Sequence, residues 1–306
     1  MEIYEATIPL TGTAEDREAR KPVKAWHLAA IFVLLLIAIA STRWTRASDA
    51  DLTVRFLDIG QGDSILISTD DGKHVLIDGG PDGAVLSKLG TYLPAWDRTI
   101  DVVVATHMHS DHIGGLIDVL ERYEVEHIIE GFESYDSATF TAWRAAVRDE
   151  GSVVTEAVAD TVISLGSSIS LTVIYPNESR AGLETRDANS ESVVVLLRHN
   201  DVSMLFTGDA ETDNEAEMVS GNRLIPVDVL KVGHHGSKTS TTEAFLSVVH
   251  PQVALISVGA GNRYGHPHQV TLSRLERHGI PYYRTDQHGD VTITSDGHSF
   301  QVTTER

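Results

Sequence analysis

Short apolar runs separated by glycine- and aspartate-rich turns recur from residue 52 to the end of the chain. Runs at residues 52–58, 64–68 and 74–78 predict strands, and Asp70-Asp71-Gly72 is typical of a hairpin turn. Further strands are predicted at residues 101–105, 125–130, two or three times within 152–174, and at 192–198, 202–207, 227–232, 253–258, 291–294 and 300–303. Helices are predicted at residues 83–92, 115–123, 139–149, 213–220, 242–249 and 269–277, with a polar loop at 175–188. The mixture indicates an α/β (α+β) fold.

A different pattern precedes the first strand. Residues 1–24 form a polar, charge-rich tail, and residues 25–46 contain an apolar core bounded by Trp26 and Trp44. The 18 steps between the two tryptophans span about 27 Å as a helix, close to the thickness of a bilayer core. We expect a single-pass transmembrane anchor followed by a linker at residues 47–51; a cleaved signal peptide and a core or amphipathic helix are the alternatives. Four basic residues before the span and two after it favour a cytoplasmic tail, with the rest of the chain extracytoplasmic.

Composition limits what the chain can bind. The sequence has 306 residues and 42% hydrophobic content, enough for a large buried core, and 24 Lys and Arg against 44 Asp and Glu give a net charge of -20. Such an acidic surface fits adaptation to high salt (a halophilic protein) or simply a soluble acidic protein. It argues against nonspecific binding of nucleic acid at low salt. Metal ions and a few local basic side chains would therefore have to hold a polyanionic substrate. Because there is no cysteine, disulfides and thiolate metal sites are excluded.

The segment Thr106-His107-Met108-His109-Ser110-Asp111-His112-Ile113-Gly114-Gly115 follows the predicted strand at residues 101–105. Side chains alternate along an extended chain, so His107 and His109 can chelate one ion while Asp111 and His112 turn toward a second. Imidazole and carboxylate ligands suit zinc, and also manganese or iron. A solvated polar loop is the alternative.

Two later strand ends carry the same kinds of side chain. Asp209 follows the strand that ends at Phe206, and His234 and His235 follow the strand at residues 227–232. We expect these side chains to reach the same rim as His107. An N-cap for the next helix is the alternative role for Asp209.

The first of these motifs resembles the HxHxDH motif of the metallo-β-lactamase superfamily. The segments at residues 56–64, 76–80, 206–209 and 234–237 resemble, in order, the motifs of the hydrolase domain of ComEC-type DNA-uptake competence proteins. The resemblance covers residues 51–306. It implies a metal-dependent hydrolase domain at residues 52–306 with a four-layer αββα sandwich, preceded by the N-terminal hydrophobic helix.

The resemblance also implies roles for particular residues. Asp209 would bridge two ions, and the family's xHG pattern favours His235 over His234 as the last ligand, leaving the other histidine to place substrate or orient its neighbour. Many members have a further histidine where this chain has Asn189 and Ser192, which resemble the branch's Asn-x-x-Ser pattern. Either Asn189 or a water completes the first site, or the first ion binds weakly, so one or two ions are expected.

The sequence at residues 262–268 resembles the branch's C-terminal NxYGHP motif. His266 or His268 could donate a proton to the leaving group, and Arg263 could hold a phosphate oxygen. A turn that starts a helix is the alternative for this motif.

Three turn residues and three aspartates complete the candidate site. The turn residues could contact phosphate or simply form the turn: Ser237, Lys238 and Thr239. Asp58 and Asp63 are expected to line the rim, Asp78 to orient a ligand from behind, and Asp111 to serve in catalysis as well as metal binding.

The favoured hypothesis is a hydrolase in which one or two ions lower the pKa of bound water and offset charge on the transition state. A phosphodiester substrate, DNA, follows from the resemblance alone. The chain lacks a multi-span channel, so a separate uptake channel would be its partner. The alternatives are a hydrolase of small esters, phosphocholine esters or lactones, and a noncatalytic binding module tethered to the membrane.

Overall fold

The computed structural model describes residues 51–306, so the predicted tail and apolar segment lie outside the described residues. Within residues 51–306, no helix is long and apolar enough to cross a membrane. The anchor at residues 25–46 and its orientation therefore stay predictions.

Seventeen strands are present in the described part of the chain. The strands are β1 Leu52–Phe56, β2 Ile65–Thr69, β3 His74–Ile77, β4 Thr99–Ala105, β5 Glu124–Glu130, β6 Ser134–Tyr135, β7 Val153–Glu156, β8 Val162–Ser164, β9 Ile169–Tyr175, β10 Glu184–Thr185, β11 Val194–His199, β12 Val202–Phe206, β13 Val229–Lys231, β14 Val253–Ile256, β15 Tyr282–Arg284, β16 Val291–Ser295 and β17 Phe300–Thr304.

Seven α-helices and two single-turn 3₁₀ helices connect these strands in the same part of the chain. The α-helices are α1 Ala84–Tyr92, α2 Ser110–Leu120, α3 Ala138–Glu150, α4 Thr212–Ser220, α5 Glu243–Val249, α6 Gln269–Arg277 and α7 Thr285–His288. The 3₁₀ turns are Ala188–Glu191 and Gly233–Gly236.

The strands form two large sheets and one small one. The first sheet has the order β17-β16-β1-β2-β3-β4-β5-β7, and the second has the order β15-β14-β13-β12-β11-β9-β8. The strands β6 and β10 pair in parallel as a separate two-stranded sheet. Parallel pairing of β3 with β4 and of β12 with β13 brings the carboxyl ends of these strands together.

Three apolar cores hold the layers together. Alternate residues of the first sheet, such as Ile65 and Ile67, face the second sheet, whereas Leu66 between them packs with the helices α1, α2 and α3 on the outer face. The second sheet packs its own outer face against α4, α5 and α6. The order of layers is therefore helices, sheet, sheet, helices, and burial on both faces explains the continuous apolar strands. Phe56 and Phe206 contact each other between the sheets, with their ring centroids 6.1 Å apart. Truncating either to alanine would lower the free energy of unfolding by roughly 3–5 kcal/mol.

The mixed α/β fold confirms the prediction, and the predicted strand bounds agree with the structure to within two residues at each end. Four elements, β6, β10, β15 and α7, were not predicted, and neither were the two 3₁₀ turns. The predicted helix at residues 115–123 in fact begins at Ser110. Gly114 and Gly115 lie inside this helix, where the helix packs closely on another segment of the chain. No side chain fits there, because a Cβ on Gly115 would lie 2.1 Å from the carbonyl oxygen of Gly79.

Candidate metal centre

The centre lies where parallel strands of both sheets end. His107 follows β4, and Asp78 follows its neighbour β3. Asp209 follows β12, and His235 lies in the turn after its neighbour β13. The carboxyl ends of the four strands thus collect the polar side chains at one edge, as the sequence predicted for Asp209 and the 234/235 pair.

The start of α2 supplies two more groups. Asp111 and His112 lie in its first turn, directly after the N-cap residue His109. The ring of His112 is buried and its centroid lies 4.0 Å from that of His107. The two residues therefore reach the centre from a rigid helix rather than from the loop expected from the sequence.

Asp209 lies among the histidines. Its Oδ2 is 4.0 Å from Nε2 of His107, 3.4 Å from Nε2 of His112, 3.8 Å from Nε2 of His234 and 3.4 Å from Nε2 of His235. The N-cap of α4 is Glu211, so the alternative capping role for Asp209 is wrong.

Sets of three potential ligand atoms within 4.8 Å of one another occur four times among residues 51–306. The sets are His107, His112 and Asp209; Asp111, His112 and His235; Asp63, Asp78 and His112; and Asp63, Asp209 and His235. His109 and His234 belong to none of them. Nδ1 of His109 lies 3.2 Å from Nε2 of His107, and its role as a ligand stays a prediction.

Carboxylates support the histidines from behind. Asp78 is fully buried; it accepts hydrogen bonds from the backbone N–H and hydroxyl of Thr106, and its Oδ2 lies 2.8 Å from Nδ1 of His112. Oδ1 of Asp63 lies 3.4 Å from Nδ1 of His235. Carboxylate–histidine pairs of this kind orient the ring so that its other nitrogen faces a metal.

Charges at the centre shift each other's protonation. Burial alone would raise the pKa of Asp209, but His235 and His112 lower it well below its ordinary value. Burial would lower the pKa of His235, yet Asp209 and Asp63 raise it to about 9. His112 likewise has a raised pKa, against its burial, because of Asp209 and Asp78. In this structure protonated imidazoles balance the carboxylates, and a divalent cation would displace those protons.

The donor set fits one or two divalent cations. Two buried ring nitrogens at the centre have no hydrogen-bond partner within residues 51–306: Nε2 of His112 and Nε2 of His235. Unpaired buried polar atoms are costly, and a bound ion accounts for them. Imidazole and carboxylate donors, without thiolate, suit zinc, manganese or iron.

Asn189 and Ser192 lie where many members of the superfamily have a further histidine ligand. Nδ2 of Asn189 lies 3.4 Å from ring nitrogens of His234, and the hydroxyl of Ser192 accepts a hydrogen bond from the backbone N–H of Asp209. Ser192 therefore holds the Asp209 loop, and the substrate-binding role that the sequence motif suggests for Asn189 and Ser192 stays a prediction. Nδ1 of His234 lies 2.7 Å from Oε1 of Glu211.

A cleft of about 220 Å³ opens onto the centre between His109, Asp111, His234, Tyr264 and His266. A second groove of about 520 Å³ shares Asp111 and Tyr264 with it and also includes the exposed Arg263. Burial, His234 and His235 lower the pKa of His266 to about 4. A neutral His266 at pH 7 is poorly suited to the predicted role of protonating a leaving group.

Several other predicted residues are placed differently from the prediction. Oδ2 of Asp58 pairs with Arg306 at 2.6 Å. His268 is the N-cap of α6 and its Nδ1 accepts a hydrogen bond from the backbone of Lys238. The hydroxyl of Ser237 pairs with that of Thr239, so the turn-forming alternative describes this segment. Asp63 is buried instead of lining the rim.

Sequence reasoning missed several residues at the centre. Lys231 is fully buried and contacts Asp63, but on its own it looked like one more residue of an apolar strand. Glu211 lies in no motif, and Gln61, although it lies in the motif at residues 56–64, was given no role. A charged residue within an otherwise apolar strand is the one signal that could have pointed to Lys231, because lysine is seldom buried unless it is paired.

Known proteins resemble this chain in sequence. A model of the metallo-β-lactamase superfamily matches residues 57–260. ComE operon protein 3 of Bacillus subtilis is 33% identical over 259 residues, which are 78% of this chain and 32% of that protein. Recombination protein 2 of Haemophilus influenzae is 32% identical over 267 residues, which are 86% of this chain and 31% of that protein. This chain therefore spans about a third of the length of these relatives.

The fold also resembles that of a solved structure. CmlA, a diiron β-hydroxylase from Streptomyces venezuelae, superposes with a TM-score of 0.54 at 18% identity, covering 80% of this chain and 54% of that one. At this identity the likeness concerns the fold alone. The sequence match extends over most of the described residues and includes the HxHxDH segment, which confirms the resemblance found in the motifs. The protein belongs to the metallo-β-lactamase superfamily and is similar to ComEC-type competence proteins.

Proposed function

We propose that this protein is a membrane-anchored, metal-dependent phosphodiesterase that cleaves DNA. One observation carries the hydrolase part: a single carboxylate oxygen of Asp209 lies within 4.0 Å of nitrogens from four imidazoles beside an open cleft. Such convergence of buried ligands from both sheets is typical of a catalytic metal centre. The superfamily match supports a metal-dependent hydrolase.

The side chains divide into two ligand groups around Asp209. His107 and Asp209 would hold one cation, with His109 beside them, and Asp111, His112 and His235 would hold the other. When bound there, a divalent cation, for which we favour zinc, would lower the pKa of a water molecule toward neutrality and would offset negative charge on the transition state. Asp78 fixes the ring of His112 in its ligating orientation.

Residues at the mouth of the cleft would hold the substrate. Arg263 is exposed and its guanidinium lies 5.0 Å from the centre of the Tyr264 ring. It can hold a phosphate oxygen by charge-assisted hydrogen bonds. His266 is neutral at pH 7 because its pKa is lowered to about 4. Its ring can therefore hydrogen-bond to substrate but is not protonated to act as a general acid.

The DNA assignment depends on the relatives and on the cleft. The relatives are a ComE operon protein, a recombination protein and a competence protein, and competence and recombination are processes of DNA. The cleft is open and polar, which fits an extended phosphodiester better than a small apolar ester. With a net charge of -20, the chain must rely on metal ions and local bases such as Arg263 to offset repulsion of a polyanion.

The predicted apolar segment at residues 25–46 would anchor the hydrolase to the cell membrane, with the catalytic domain outside the cytoplasm. In that position it would meet DNA outside the cell. A separate uptake channel is the partner that we propose for it.

The test compares hydrolysis of linear DNA with hydrolysis of a phosphocholine ester, a lactone and a simple ester. Wild type and Asp209→Asn are assayed beside Asp101→Asn, a buried carboxylate that binds Lys73 and the backbone of His74 near the start of β3 and β4. Metal-dependent DNA cleavage lost only in Asp209→Asn supports the proposal. Ester turnover without DNA cleavage would show that the substrate is a small ester instead of DNA. A metal-free protein that binds but cleaves nothing would indicate a binding module.

A further inference from the structure

A fully buried lysine lies behind the candidate ligands. Lys231 ends β13, and its ammonium forms an ion pair with the carboxylate of Asp63. The same ammonium donates a hydrogen bond to the carbonyl oxygen of Gly208 at 2.6 Å and lies 3.7 Å from Oδ1 of Asp209. Three oxygens from two segments of the chain therefore surround one buried positive charge.

The two carboxylate oxygens of Asp209 have different neighbours because of Lys231. Oδ1 faces the ammonium, whereas Oδ2 faces His112 and His235 at 3.4 Å each. Gly208, which precedes Asp209, has a left-handed backbone with φ of 48° and is held through its own carbonyl. The ammonium therefore holds the backbone beside Asp209 by a hydrogen bond and attracts Oδ1 by its charge at 3.7 Å.

We infer that Lys231 is a positioning residue for the metal centre: it fixes Asp209 so that Oδ2 alone is presented to the cations. The inference rests on the proposed metal site but not on the identity of the substrate. A carboxylate free to rotate would exchange its two oxygens and bind cations less tightly, because ordering it would oppose binding.

The positive charge of Lys231 also offsets the repulsion between the buried carboxylates of Asp63 and Asp209. Asp63 is buried, and its Oδ1 lies 3.4 Å from Nδ1 of His235. An uncompensated carboxylate in the interior is strongly unfavourable, whereas one paired with an ammonium is tolerated. The lysine thus lets Asp63 orient the His235 ring without competing with Asp209 for a cation.

A purely structural ion pair would predict a different result. In that case Lys231 would act only through Asp63, and the double variant would bind metal as tightly as Asp63→Asn alone. If Lys231 positions Asp209, the double variant regains folding stability but binds metal less tightly than Asp63→Asn, because Oδ1 of Asp209 still lacks its ammonium neighbour.

The experiment uses the full-length chain in wild-type form and as Lys231→Met, Asp63→Asn and the double variant. Lys73→Met is the control for losing a lysine–aspartate pair away from the centre, since the half-exposed Lys73 pairs with Asp101 of β4 in the first sheet. Zn²⁺ and Mn²⁺ dissociation constants are measured by competition with a chelating dye, and unfolding is followed in the presence of chelator.

We expect Lys231→Met to lose about 10- to 100-fold in metal affinity, and the double variant to bind metal less tightly than Asp63→Asn while unfolding later than Lys231→Met. Lys73→Met should bind metal as wild type does. Equal metal affinities in the double variant and in Asp63→Asn, or wild-type affinity in a folded Lys231→Met, would overturn the inference. If wild type itself binds neither ion, the proposed function fails instead.

Discussion

Replacing Asp78 by asparagine tests how the carboxylate behind His112 supports the metal centre. In the wild type, Oδ1 of Asp78 accepts the backbone N–H of Thr106 at 2.8 Å. Oδ2 accepts the Thr106 hydroxyl at 2.7 Å and lies 2.8 Å from Nδ1 of His112. Asparagine has the same shape, but one of its two terminal atoms is a donor, so it cannot accept on both sides.

The structure gives the size of the loss. If the amide oxygen faces His112, its NH₂ group opposes the N–H of Thr106, and one hydrogen bond to a charged acceptor is lost. If the amide is turned the other way, two are lost. Hydrogen bonds to charged groups contribute about 1.5–3 kcal/mol each, so we expect a loss of roughly 2–5 kcal/mol in the free energy of unfolding.

Metal affinity should fall in the same variant. The ring of His112 would no longer be held with Nε2 toward Asp209, and loss of such a supporting carboxylate typically costs about 10- to 100-fold in affinity. Stability is measured by denaturant titration with a chelator present, so that bound metal does not contribute. Metal affinity is measured separately by dye competition.

Asp101→Asn is the control for Asp78→Asn. Asp101 is also buried and also accepts hydrogen bonds, from Lys73 and from the backbone of His74. The control should lose stability but keep wild-type metal affinity. Unchanged affinity in Asp78→Asn, or an equal fall in Asp101→Asn, would refute the reasoning.

Three other predictions follow from single residues or from the metal. Gly62→Ala should weaken metal binding, because its Cβ would lie 2.1 Å from the carbonyl oxygen of Asp111; Gly60→Ala, with a similarly positive φ but no atom within 4 Å, should bind metal normally. Burial raises the pKa of Glu133 to about 7, so its contribution to stability is present below pH about 4.5 and is lost as pH rises through 7. Glu133→Gln should therefore resist denaturant better than wild type by roughly 3 kcal/mol at pH 8 and equally at pH 4; equal midpoints at pH 8 would contradict this. Chelation should abolish hydrolysis, and added Zn²⁺ or Mn²⁺ should restore it; activity that survives exhaustive chelation would argue against a metal enzyme.

The sequence predicted most of the layered fold because its strands are marked by local signals. Apolar runs bounded by Asp-Gly and Gly-x-Gly turns identify strands whether or not their partners are known. The β6–β10 pair was missed because strands of two residues carry no periodicity. The start of α2 was misplaced because Gly114 and Gly115 resemble a turn, whereas their role is close packing against neighbouring backbone.

The candidate ligands were predictable for a related reason. His107, Asp111 and His112 are grouped in sequence, and Asp209 ends an apolar strand, so each is visible locally. The supporting groups are not. Asp63 and Lys231 are separated by more than half the chain, and only the folded structure brings them together. Asp58, which resembles Asp63 in sequence context, instead pairs with Arg306.

The most direct test of the central claim is the metal content of the purified full-length protein, measured by elemental mass spectrometry beside an Asp209→Ala variant. The account predicts one or two divalent cations per chain in the wild type and a marked loss in the variant, with both proteins folded. A folded wild type without bound cation after incubation with Zn²⁺ and Mn²⁺, or a variant that retains the full complement, would contradict it.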